Sequence, residues 1–218
     1  MAADVKAIVF DLDGTVSDTY DITVLTLQQV IKEQTGKYME SAEIQTYFGP
    51  TDIEALKKIA GIHYSKTMLE IYLDRFKNNL VKFVKPIQGM NSLLDLIKEK
   101  KIKLGLFTGR SGITAKIILD HLELYDKFDT ILPGDNIAPK PDDEGLRIIM
   151  NKMNLLPHEM IYAGDFATDI TASRNAGAVS CLVTWCTTNS HQSDNPEPDY
   201  HFETPLQFMS WLSGSVII

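Results

Sequence analysis

The sequence predicts an α/β fold: a Rossmann-like three-layer core on a parallel sheet, interrupted after its first strand by an inserted α-helical unit. Two observations carry this. Short apolar runs alternate with longer stretches whose apolar residues recur at helical spacing, the pattern of strands joined by right-handed crossover helices. Residues 18–83 break the alternation, showing helical stripes and no convincing strand, and that is too much chain for one crossover.

Val5–Phe10 is the first buried strand. In the insert, Tyr20, Val24, Leu27 and Ile31 mark one helix, and Leu69, Leu73, Phe76 and Leu80 repeat its spacing. Ile53, Leu56 and Ile59 or Ala60 mark a shorter helix between them. Beyond the insert, Met90, Leu93, Leu94 and Ile97 form a helical stripe before the strand Ile102–Phe107. Ile113, Ile117 and His121 then precede the strand Thr130–Leu132, and Leu146, Ile149, Met150 and Met153 precede Met160–Ala163. Val179–Thr184 is the fifth strand, Asn189–Pro198 a surface loop, and Thr204-Pro205 opens the last helix with a hydroxyl cap and a proline. The division is therefore a core of residues 1–17 and 84–218 and an insert of 18–83.

Apolar residues at 44% and charged residues at 23% are ordinary globular proportions. A formal charge of −8 argues against a general nucleic-acid binder, yet a few local cations and a metal can admit an anionic substrate. Two cysteines, Cys181 and Cys186, exclude a disulfide scaffold and a cysteine-rich zinc site, and the histidines are too scattered for a histidine metal site. No segment approaches 18 uninterrupted apolar residues, and Ala7-Ile8-Val9-Phe10 is too short for a signal-peptide core. The expectation is a soluble, cytoplasmic protein with no membrane partner.

Chemistry gathers where strands end. The first strand runs into Asp11-Leu12-Asp13-Gly14-Thr15, and ligands of open α/β sheets bind beyond such carboxyl ends. Two carboxylates two residues apart ask for a divalent metal or a shared proton, although Asp-x-Asp-Gly is also a simple turn. Thr108 and Gly109 offer a hydroxyl and an unobstructed N–H at a helix start, a setting for an anion. Lys140-Pro141 opens a further helix and supplies a cation; alone, Lys140 reads as a surface lysine. Gly164-Asp165 through Asp169 brings two more acids, which could otherwise be helix caps. Their common position and order favour one site.

These motifs resemble those of the haloacid dehalogenase superfamily: Asp11-Leu12-Asp13-Gly14-Thr15, Thr108, Lys140 and Gly164-Asp165…Asp169, across nearly the whole chain. The insert is similar to the helical cap of the branch that contains phosphoglycolate phosphatases, β-phosphoglucomutases and nucleotidases. The resemblance implies that Asp11 is a nucleophile that becomes an aspartyl-phosphate. It implies that Asp13 protonates the leaving oxygen and then activates water, while Thr108 and the Gly109 N–H hold phosphoryl oxygens and Lys140 balances charge. Mg²⁺ would bind the Asp11 carboxylate, the Asp13 carbonyl and Asp165, with Asp169 orienting that shell. Arg110 stands where many relatives continue otherwise. It is either a contact for a second anionic group or an exposed helix-start residue. Tyr47-Phe48-Gly49-Pro50-Thr51 is the expected substrate-reading loop, with Gly49 at its turn.

The function this implies is Mg²⁺-dependent hydrolysis of a small phosphorylated metabolite by a monomer or homodimer. Phosphoglycolate-like esters come first because Gly164-Asp165…Asp169-Ile170…Ala176-Gly177 is most similar to that branch, with pyrophosphate and nucleoside monophosphates open. A phosphomutase would use the same residues and return the phosphoryl group to a sugar. A dehalogenase has no use for Asp13. A receiver-like signalling module shares an aspartate, Thr, Lys and Mg²⁺ but lacks the insert. The insert is expected to hinge at Ser17–Asp18 and Val84–Pro86.

Overall fold

The computed structural model describes residues 5–186 and 196–214; most of the expected loop at 189–198 lies outside them. Strand β1 (Ala7–Phe10) is the centre of the sheet because its four apolar residues are buried on both faces. It pairs in parallel with β2 (Lys103–Phe107) and with β4 (Met160–Gly164). Beyond these lie β3 (Thr130–Leu132) on one side and β5 (Val179–Val183) with β6 (Tyr200–Phe202) on the other, giving the order β3-β2-β1-β4-β5-β6. The chain builds one half as far as β3 and then crosses to β4. A crevice therefore opens at the carboxyl ends of β1 and β4, where open sheets bind ligands.

Alternation along β1 divides the core. Ile8 and Phe10 join one apolar cluster with Met90 and Leu94 of α5 (Met90–Glu99), Ile118 of α6 (Gly112–His121) and Phe208 of α9 (Pro205–Ser213). Ala7 and Val9 join a second with Leu146 and Ile149 of α7 (Glu144–Met153) and Ala172 of α8 (Ala167–Ala176). The result is three layers, with helices on both faces.

Between β1 and β2 the insert contributes α1 (Tyr20–Thr35), α2 (Ser41–Gln45), α3 (Asp52–Ala60) and α4 (Lys66–Phe83). α1 stops at Gly36, whose φ of 74° no β-carbon obstructs. α3 and α4 begin at Thr51 and Ser65, whose hydroxyls accept the Glu54 and Met68 N–H groups. Val24, Leu27, Leu56, Met68 and Tyr72 share a third apolar cluster, while Phe76 and Leu80 at the far end of α4 pack into the sheet domain's core.

The structure corrects three sequence-based expectations and adds two short elements. α6 buries Thr114, Ala115, Ile118 and Leu119, whereas Ile113 is half exposed, so its inner face is rotated from the Ile113-Ile117-His121 stripe. α4 buries Met68, Tyr72, Phe76 and Leu80, with Leu69 and Leu73 beside that line. α7 begins at Glu144, which leaves Lys140 and Pro141 on the preceding loop. β6 and the one-turn α2 have too few residues to show a period. No helix among the described residues is long and apolar enough to cross a membrane.

Candidate active site

Asp11 leaves β1 with its N–H still donating to the Ala163 carbonyl of β4 at 2.8 Å, so the sheet itself aims the residue at the crevice. Asp165 follows β4, and Asp169 lies in the first turn of α8 with Oδ2 accepting the Phe166 N–H at 3.0 Å. Gly164 permits this approach: a β-carbon there would overlap the Asp169 carboxyl group. Asp11, Asp165 and Asp169 are all buried, and one oxygen from each falls within 4.8 Å of the others.

Lys140 reaches this cluster from its loop and is no surface lysine. Its Nζ donates to Asp11 Oδ1 at 2.8 Å and Asp169 Oδ1 at 2.6 Å, and its side chain is 13% exposed. Tyr162 of β4, unremarked in the sequence because it stands inside an apolar strand, lies 3.1 Å from that Nζ and from Asp169 Oδ1. The lysine is thereby fixed as well as charged. On the opposite wall, Thr108 Oγ1 accepts the Arg110 N–H at 3.1 Å, which ties the turn after β2.

Asp13 is a different environment. Arg110 Nε donates to its Oδ2 at 2.9 Å, Arg110 Nη2 donates to Oδ1, and the Thr19 hydroxyl donates to Oδ1 as well. Arg110 is buried, which corrects the reading of an exposed helix-start residue. The cause is the insert, which covers it: Nη2 also donates to Thr23 Oγ1 of α1 at 2.8 Å, and Phe76 of α4 lies under the guanidinium at 5.2 Å. Asp52, the first residue of α3, stands 3.8 Å from Nη1, which makes no hydrogen bond. Asp52 itself accepts the Ser111 N–H at 3.0 Å, the Thr114 hydroxyl at 2.9 Å and the Tyr72 hydroxyl at 2.9 Å. Sequence reasoning missed Asp52, Thr23 and Tyr72, whose significance comes only from contacts across the fold.

Burial pushes the Asp11 carboxyl up to about 7; Lys140 opposes the shift, and Asp169 and Asp13 reinforce it. Burial raises Asp165 well above the carboxylate range, with Asp11 and Asp169 adding to the shift and Lys140 opposing it. Asp13 goes the other way. Burial would raise it, but the Arg110 guanidinium and the Thr19 hydroxyl outweigh that and hold it below its usual value. Three close acids with one lysine carry excess negative charge, and their hard oxygen donors suit a small divalent cation such as Mg²⁺. Asp169 already accepts Lys140 and Tyr162 on one oxygen and Phe166 on the other, so it is placed to orient such a shell more than to enter it.

Asp11, Asp13, Thr108, Gly109, Arg110, Lys140, Asp169 and the insert residue Gly49 all line one cavity of about 290 Å³, and Asp165 stands beside Asp11 and Asp169 in the acidic cluster. The Tyr47–Thr51 segment thus does reach the crevice through Phe48, Gly49 and Pro50. Tyr20, Phe166 and Thr168 complete much of the rim.

This chain resembles characterised proteins along most of its length. A pyrophosphatase PpaX of Bacillus velezensis is 27% identical over 202 residues, covering 91% of this chain and 92% of its own. A phosphoglycolate phosphatase of Aquifex aeolicus is 24% identical over 213 residues, covering 97% and 99%. Among solved structures, CbbY of Rhodobacter sphaeroides in complex with phosphate shares the fold at a TM-score of 0.75 and 16% identity, covering 94% of this chain and 96% of that one. The family model for haloacid dehalogenase-like hydrolases matches residues 8–183, from β1 to the end of β5 and so through every acid of the cluster. By that match the chain belongs to the haloacid dehalogenase-like hydrolase family.

Proposed function

We propose that this protein is a Mg²⁺-dependent phosphomonoester hydrolase acting on a small phosphorylated metabolite through an aspartyl-phosphate on Asp11. The observation that carries the reading is the Lys140 ammonium held between Asp11 and Asp169, with Asp165 completing a buried acidic cluster at the sheet's switch point. Asp11, the Asp13 carbonyl and Asp165 would hold the ion, with Asp169 as their support. Bound there, Mg²⁺ would supply positive charge against the repulsion between carboxylate and phosphoryl oxygens. The names of the pyrophosphatase and phosphoglycolate phosphatase relatives support the reaction class.

In the first step an Asp11 oxygen attacks phosphorus as the bond to the leaving oxygen breaks, and Asp13 relays to that oxygen a proton that enters with the substrate monoanion. Asp13 is left ionised, the form that Arg110 and Thr19 stabilise. In the second step it takes a proton from water, whose oxygen attacks phosphorus while the bond to Asp11 breaks. The carboxylate of Asp11 is regenerated, and Asp13 passes the proton to the released phosphate and returns to its ionised form. Thr108 and the Gly109 N–H support the phosphoryl oxygens, and Lys140 offsets their charge. Arg110 lines the cavity but acts by positioning Asp13, because a direct anion contact would take it from two buried carboxylates. We read residues 1–17 and 84–218 as the catalytic body and 18–83 as a cap.

Release of phosphate from acetyl phosphate with Mg²⁺ present tests the reading. Asp11→Asn is nearly isosteric and should abolish turnover while retaining the native circular dichroism spectrum. Near-normal release by that folded variant would sink the mechanism.

A further inference from the structure

We propose that the substrate is a phosphate monoester whose leaving group carries a flat aromatic ring, seated against a wall formed by Tyr20, Phe48 and Phe166. The proposal rests on the phosphatase reading and narrows its substrate. It departs from the phosphoglycolate-like preference that the motif resemblance implies.

Charge is the first argument. The described cavity is lined by Asp11, Asp13, Asp52 and Asp169 and by two cations, Lys140 and Arg110. Lys140 is spent on Asp11 and Asp169, and Arg110 on Asp13 with Asp52 beside it. A Mg²⁺ ion and Lys140 serve the transferring phosphoryl group. A second anionic group, such as the carboxylate of phosphoglycolate or the second phosphate of pyrophosphate, would have to draw Lys140 or Arg110 from the carboxylates they already bind, and Arg110 Nη1 itself lies 3.8 Å from Asp52.

The leaving-group side offers aromatic surface instead. Tyr20 of α1 and Phe48 of the insert loop meet edge to face with centroids 5.4 Å apart, and Tyr20 lies 6.5 Å from Phe166. All three border the cavity that holds Asp11. Phe166 stands at the N-cap of α8, a position that favours short oxygen-bearing side chains, and makes no side-chain cap bond. It follows Asp165 directly, yet the residue is 38% exposed. Capping and core packing therefore do not account for this residue, whereas stacking on a ligand ring does.

The test compares kcat/KM for benzyl phosphate, cyclohexylmethyl phosphate, phosphoglycolate, pyrophosphate and acetyl phosphate. Benzyl and cyclohexylmethyl phosphate differ chiefly in the flatness of the ring. Benzyl phosphate should exceed both its saturated analogue and phosphoglycolate by roughly tenfold, the scale of one ring stacking on an aromatic side chain. Phe166→Leu and Phe48→Leu should each cut the ratio of benzyl to acetyl phosphate kcat/KM by several-fold, mainly through KM. Preference for phosphoglycolate or pyrophosphate, with release still requiring Asp11, overturns this proposal and leaves the phosphatase reading standing. Equal losses on all esters in the leucine variants also overturn it, making the rings a seam between insert and core. No phosphate from any of the compounds, acetyl phosphate included, overturns both.

Discussion

Asp11 and Asp13 leave the same strand two residues apart and are treated in opposite ways. Burial raises Asp11, while the Arg110 guanidinium overcomes the burial of Asp13. Asp13→Asn keeps the shape and removes the proton shuttle. The phosphoenzyme should then form from an activated donor such as acetyl phosphate but break down roughly 10²–10⁴-fold more slowly, read as labelled protein trapped by acid quench. Breakdown at the wild-type rate would remove Asp13 from the mechanism. Arg110→Met leaves Asp13 and Asp52 as uncompensated buried charges and should destabilise the fold by about 3–5 kcal/mol in denaturant titrations. Residue by residue, the sequence showed Asp11, Asp165 and Lys140 as candidates because each sits just after a strand or on a loop near a helix start. It could not show Asp52 or Thr23. Their partners lie 59 and 87 positions away, and an acid at a helix start is ordinary by itself.

Elements were legible where they carry a long period. β1, β2, β4 and α5 follow from their apolar spacing, whereas β6 does not, since three residues alternate no more clearly than a loop. β6 is held by a polar device instead: Asp199 accepts the Ser180 hydroxyl at 2.7 Å and its N–H at 2.8 Å, pinning the edge to β5. Those two bonds hold the Asp199 carboxyl below its ordinary value of 3.8. The stabilisation is present above that value and lost as pH falls through the lower folded one. Asp199→Asn should therefore lower stability by about 1 kcal/mol at neutral pH, with the difference shrinking below about pH 3. A deficit independent of pH would mean that the charge is not what matters. Gly164 ends β4 under the same logic of close approach. Gly164→Ala should push Asp169 away and cost about 1–3 kcal/mol, with loss of turnover exceeding loss of fold.

At the scale of the molecule, insert and sheet domain meet through the apolar contacts of Phe76 and Leu80 and through a buried polar knot. Ser111 and Thr114 belong to the start of α6, Tyr72 to α4 and Asp52 to α3, and the Asp52 carboxylate accepts from all three. Arg110, between Asp13 and Asp52 and over Phe76, threads the same seam. If, as we propose, the insert swings about Ser17–Asp18 and Val84–Pro86, this knot must break and its bonds set the free energy of opening. Asp52→Ala leaves the Tyr72 hydroxyl and the Ser111 N–H without their acceptor and Arg110 with one carboxylate fewer, whereas Asp52→Asn retains an oxygen for Ser111. Hydrogen exchange should therefore quicken in α3 and in the first turn of α6 in Asp52→Ala, less in Asp52→Asn, while β1 and β4 keep their protection. The altered opening should also appear as a changed KM for larger esters, because substrate must pass between the insert and the strand ends. Uniform loss of protection across the sheet would show that Asp52 supports the whole fold. Unchanged exchange in α3 and α6 would show that the knot does not hold the insert down.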